Sequence, residues 1–201
     1  MALKIYSAPA IEPITLGEAK MHLRVDQDED NALIQQLITT SRVDVETLCL
    51  HKLITQTWDY YLDGFPGSDV LELPCPPLQS VTAVYYTPDG GVETTFASTH
   101  YTVDAVSEPG KIYLKTTTGG GQGYWPSNIL IPYNGVKVRF VCGYGAAGTN
   151  VDSRAIQAMK LLIGHYYENR EAVFMGRTNP SLLPQGVYDL CWDLRASVKE
   201  F

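Results

Sequence analysis

The 201-residue sequence has few of the features that announce chemistry. Its four cysteines, at positions 49, 75, 142 and 191, form no C-x-x-C pair and have no histidine at zinc spacing, which argues against both a disulfide framework and a metal site. Reduced cysteines are expected. No run approaches the roughly 18 consecutive apolar residues of a membrane-spanning helix, and the start shows no basic-then-apolar leader. The expectation is a soluble protein made in the cytosol, with no membrane partner. Positive charge is scarce: 15 Lys and Arg face 22 Asp and Glu, a net charge of −7, which disfavours a broad phosphate-binding surface. Between residues 53 and 136 the imbalance sharpens, with eight acids and only Lys111 and Lys115 as bases. A G-x-S-x-G elbow is missing, and no Gly-Lys-Ser/Thr follows the glycine run 119–123, so neither a hydrolase nucleophile nor a phosphate-binding loop is indicated.

What is present is a helical pattern at both ends and strand patterns between them. Thr15 with Glu18 three places on has the spacing of a capping box and predicts a helix to about Leu23. Asp26, Asp28, Glu29 and Asp30 suit the positive end of a second helix, whose core face carries Leu33, Ile34, Leu37, Ile38, Val45 and Leu48. Read as a calcium loop from Asp26, the acidic run fails, because Asn31 and Leu37 stand where Gly and Glu are required. Alternating patterns predict strands at 54–62, 70–73, 80–86, 92–96, 101–104, 111–115 and 136–142, with Thr87-Pro88-Asp89-Gly90-Gly91 as a hairpin turn. A third helix should start near Asp152 or Ser153, burying Ile156, Met159, Leu162, Ile163 and Tyr166. Pro180, Pro184 and the glycines at 176 and 186 should interrupt helix before a last amphipathic turn or two with Val187, Leu190, Cys191 and Leu194. The fold class read from this order is α+β: a helical core from residues 1–52 and 150–201, and an inserted antiparallel β subdomain, a small sheet or barrel, at 53–149.

One motif imitates a nucleotide site. Gly143-Tyr144-Gly145-Ala146-Ala147-Gly148 is a literal G-x-G-x-x-G between a strand and a helix. A dinucleotide fold needs a parallel strand after that helix, with an acid at its end for the ribose. Glu168 has about the right spacing but lies inside a helical pattern, and no strand follows. A nucleotide-dependent enzyme stays as the alternative reading, and equilibrium binding of NAD or ATP would reveal it. His165 and Glu168 share a helix face without a second such pair, and His22, His51 and His100 fall in separate elements, so no metal and no cofactor is expected. Thirteen tyrosines and three tryptophans suit interfaces, although many can equally pack within the β subdomain.

Three phrases carry a family likeness: Ile14 to Asp26, Leu73 to Val81 (Leu-Pro-Cys-Pro-Pro-Leu-Gln-Ser-Val), and Leu162 to Glu171 (Leu-Ile-Gly-His-Tyr-Tyr-Glu-Asn-Arg-Glu). In this order they resemble the head-tail connector, or adaptor, proteins of tailed bacteriophages, the gp6-like group and its longer gp8-like relatives with a β insertion. The likeness covers nearly the whole chain and departs where relatives open the third helix with Pro, against Val151-Asp152-Ser153 here. The resemblance implies a structural protein of the virion neck and no enzyme. It implies a ring of this chain with itself, of about twelve copies, below the portal protein, which extends the DNA channel and carries the next head-completion or tail-completion protein. Packaged DNA would pass through without specific binding. Ring-interface candidates are Arg24, Tyr166, Glu168, Arg170 and Glu171, and portal-docking candidates are Trp192, Leu194, Arg195, Lys199 and Phe201. A different neck or tail-completion protein is the other structural alternative.

Overall fold

The computed structural model describes residues 1–115, 123–127, 129–170 and 184–195. The chain divides into two compact units, Met1–Pro9 with Thr55–Gly143, and Ala10–Ile54 with Tyr144–Phe201. The mixed α+β class is as expected from the sequence, but the first residues fold with the strands rather than with the helices.

In the first unit, β1 (Ala2–Ser7), β2 (Gln56–Leu62), β8 (Val136–Cys142), β4 (Leu78–Tyr86) and β5 (Thr94–Phe96) lie in that order in one antiparallel sheet. A separate three-stranded sheet has the order β3 (Val70–Glu72), β7 (Lys111–Leu114), β6 (Tyr101–Asp104). Two sheets thus replace the single sheet or barrel expected. The alternation read in β2 holds: Trp58, Tyr60 and Leu62 face a core with Val138, Phe140, Leu71, Tyr101 and Ile112, while Thr57, Asp59 and Tyr61 face the other way. β1 escapes sequence reading because all six of its residues are exposed. Its ladder to β2 holds it in place, with an irregularity between Ile5 and Ser7.

The second unit holds α1 (Leu16–Leu23), α2 (Asn31–Cys49), α3 (Ser153–Glu168) and α4 (Gln185–Arg195). The capping box is formed: the Glu18 amide donates to Thr15 Oγ1 at 3.2 Å, and the Thr15 amide donates to Glu18 Oε2 at 2.8 Å. The Thr15 amide, joined by the Thr15 hydroxyl donating at 2.7 Å, holds the Glu18 carboxyl below its ordinary range. Asp152 caps α3, accepting from the Arg154 amide at 2.8 Å, so the missing Pro costs the helix nothing in definition. The core joins Ile34, Ile38, Val45 and Cys49 of α2 to Ala155, Met159, Leu162 and Ile163 of α3 and to Val187, Cys191 and Leu194 of α4.

Two expectations need correction here. The acidic run does not cap α2 through its last member, since Asp30 stands at the N-cap position without a side-chain cap bond. A stronger donor pair at the end of α3 takes its carboxylate. The terminal helix is also longer than a turn or two. Pro184 lies just before it and Gly186 inside its first turn, where amides have no intrahelical partner and neither residue breaks the ladder. Among the described residues no helix is long and apolar enough to cross a membrane.

Candidate interface at the end of the third helix

The last turns of α3 gather most of the polar residues singled out by sequence. Tyr166 donates its hydroxyl to Asp44 of α2 at 2.9 Å, and Tyr167 donates to Asp30 at 2.5 Å. Arg170 reaches the same Asp30 oxygen at 2.9 Å and lies 4.8 Å from the Tyr167 ring centre. The Tyr167 bond, with Arg170 behind it, holds the Asp30 carboxyl below its usual range. Burial, reinforced by Asp44, pushes the Tyr166 phenol up to about 12. This pairing of neighbouring tyrosines with one carboxylate inside α2 and one at its N-cap fixes the end of α3 to α2.

Tyr166 carries a test. Its folded-state value is raised above the ordinary value of about 10, so it favours the folded state at neutral pH, and that contribution is lost as pH rises from about 10 toward about 12. Thermal unfolding between pH 9 and 11.5 is expected to show a shallower loss of stability for Tyr166→Phe than for the wild type. Parallel slopes would remove Asp44–Tyr166 from the list of ties.

On either side of this tie lie grooves. One, of about 520 Å³, is lined by His22, Arg24, Leu161, Gly164, His165 and Glu168 among others. Arg24 closes α1 in the left-handed conformation, φ 57°, with its amide bonded back to Met21, and its exposed guanidinium makes no ion pair among the described residues. The other groove, about 320 Å³, runs between Leu33, Leu37 and Thr40 of α2 and Tyr166, Asn169 and Arg170. The structure therefore brings Arg24 and Glu168 to one groove and Tyr166 and Arg170 to the other. Glu171 lies outside the described residues. His22, His165 and Glu168 share the first groove, but no three His, Cys, Asp or Glu side chains among the described residues converge as metal ligands would.

The docking candidates separate. Trp192 is 56% exposed and has Arg195 5.9 Å from its ring centre, whereas Leu194 is a core residue at 5% exposure. Leu194 is thus corrected from a docking residue to a packing residue, because helical spacing puts it on the same face as Val187 and Cys191. Tyr188, one turn before Trp192 and 42% exposed, takes its place on the outer face. Lys199 and Phe201 lie outside the described residues. Burial pushes the thiols of Cys49 and Cys191 up, to about 11 and about 12, which makes them poor nucleophiles.

Sequence reading missed a buried charge network on α2. Arg42 donates to Glu12 at 2.7 Å and lies 3.5 Å from Glu46, while Glu46 also takes Lys52 at 3.2 Å and the Leu53 amide at 3.1 Å. The signal was there: Arg42 and Glu46 fall on the helix face of Ile38, Val45 and Cys49, where charge has to be paired. The glycine motif serves the same corner. A side chain on Gly145 would meet Asn150 at 2.6 Å, and one on Gly148 would meet the Pro13 carbonyl oxygen at 2.2 Å. β8, which leads into the motif, pairs antiparallel on both sides, with β2 and with β4. The glycines are needed for close chain passage, and the dinucleotide alternative loses its sheet context.

Comparison with known proteins adds the rest. Residues 13–87, which contain α1, α2 and β2 to β4, match the model of the family described as phage gp6-like head-tail connector protein. No curated protein matches the chain. Solved structures do: the neck of an empty gene transfer agent particle computed with C6 symmetry, at 23% identity and a TM-score of 0.76; the virion of a native gene transfer agent particle, at 23% and 0.78; and the neck of a native particle computed with C12 symmetry, at 24% and 0.74. Each match covers 97% of this chain and 95% of the other, and shows that the whole fold, both units included, is shared.

Proposed function

We propose that this chain is a structural connector in the neck of a tailed phage or phage-like particle, where copies of it form a ring, of about twelve, below the portal and extend the channel toward the next neck protein. The observation that carries this reading is the coincidence of a gp6-like connector match over residues 13–87 with a fold shared over 97% of the chain with particle-neck proteins. In this reading the ring contact uses the helical unit, and what supports it are the grooves beside the Asp30–Tyr167–Arg170 tie, one lined by Arg24 and Glu168 and the other by Tyr166 and Arg170. Portal docking falls to the outer face of α4, where Tyr188 and Trp192 stand exposed and the half-buried Arg195 lies against the Trp192 ring. Packaged DNA is a passing partner. Asp63, Glu72 and Asp89 are exposed on an acidic unit, and wherever they face the duplex they repel its phosphates rather than bind them.

Deleting the terminal helix would remove Val187, Cys191 and Leu194 from the core, so point substitutions are the sounder test of docking. Trp192→Ala with Tyr188→Ala should leave the chain folded and abolish its capture by portal-bearing heads. Capture at wild-type affinity would move docking elsewhere.

A further inference from the structure

Among the described residues, the outer face of the five-stranded sheet has no partner element in its own unit. Cross-strand rows place Lys4, Asp59 and Arg139 side by side, then Tyr61, Lys137 and Tyr85, all pointing away from the core that Trp58, Tyr60, Val138 and Phe140 build. Arg139 grips Asp59 with two bonds of 2.7 and 2.8 Å, and its guanidinium carbon lies 3.4 Å from the centre of the Tyr6 ring. Lys137 stands 4.3 Å from the Tyr85 ring centre and 2.6 Å from Glu93. Tyr6 is nonetheless 60% exposed, and Lys4 is exposed without an ion pair among the described residues.

We propose that this face docks against the acidic remainder of the sheet unit of a second copy of the chain. The inference rests on the ring reading and names one of its contacts. Charge decides the partner. Three of the unit's five bases, Lys4, Lys137 and Arg139, are on this face, where only Asp59 and Glu93 oppose them, while the rest of the unit carries six acids against Lys111 and Lys115. A face with a small positive excess and a strongly negative remainder on one molecule are complementary head to tail, the arrangement that closes rings. The face also has the make-up of an interface centre, with tyrosines and an arginine already fixed by stacking and ion pairs, so little side-chain freedom is lost on docking. Duplex DNA fits less well. Glu93 and Asp59 already neutralise Lys137 and Arg139, which leaves Lys4 alone for phosphate.

Lys4→Glu and Tyr6→Ala test this in the full chain, because both side chains are exposed and unfolding temperatures should stay close to the wild type. Sedimentation velocity and native mass spectrometry over a concentration series should show the wild-type chain assembling, with each variant needing about tenfold more protein. Wild-type assembly should weaken as salt rises, and that of Lys4→Glu less steeply. Variants that assemble like the wild type overturn the docking inference and leave the ring reading standing. A wild-type chain that stays monomeric throughout sinks the ring reading and this contact with it. Duplex binding that Lys4→Glu abolishes, with assembly unchanged, would reassign the face to nucleic acid.

Discussion

Glu46→Ala is expected to destabilise the helical unit by about 3–5 kcal/mol, because it removes from a buried network the carboxylate that Arg42, Lys52 and the Leu53 amide share. The Glu46 side chain is 3% exposed and that of Arg42 10%, so neither Arg42 nor Lys52 recovers full hydration when the carboxylate goes. Arg42 keeps Glu12 at 2.7 Å, which limits the loss, whereas the Leu53 amide loses its 3.1 Å acceptor and Lys52 its 3.2 Å carboxylate. Glu46→Gln retains an acceptor for the Leu53 amide and removes only the charge, so it should fall between the wild type and Ala. Chemical denaturation with an unchanged m-value would read both. A loss under 1 kcal/mol for Glu46→Ala would mean that the four groups pair only loosely.

Gly148→Ala has the second large effect. Its new methyl would stand 2.2 Å from the Pro13 carbonyl oxygen, a backbone atom with no rotamer to yield, so the irregular segment entering α1 or the turn leading to α3 has to move. A cost of about 2–3 kcal/mol is expected from such overpacking. Gly17→Ala, where nothing lies within 4 Å, is the matched control and should stabilise or do nothing, since Ala favours helix over Gly. Equal effects at the two positions would show that the chain passage is looser than its geometry.

Most of the framework was legible in the sequence because local chemistry and tertiary packing agree there. Thr15 and Glu18 form the capping box that their spacing announced, and seven strand patterns became strands within a few residues. β1 was invisible because an edge strand that buries nothing leaves only its backbone ladder as a cause, and a ladder has no sequence pattern. Asp30 reads locally as a helix cap, but its bonds to Tyr167 and Arg170 come from residues over 130 positions away. Leu194 shows the same limit at the candidate site. Its neighbours in sequence look like a docking cluster, and only the packing of α4 on α2 and α3 reveals which of them turn inward. The Arg42–Glu46 network was half legible, as charges on an apolar stripe, but Glu12 and Lys52 could not be named as its outer members without the fold.

An electron cryo-microscopy map of an intact particle that contains this chain would decide its role. The expected map has a closed ring of about twelve copies between portal and tail, with α4 against the portal and the grooves beside Tyr166 and Arg24 filled by neighbouring copies. A neck from which the chain is missing, or in which it appears as isolated copies on the outside of the head or tail, would contradict the connector reading.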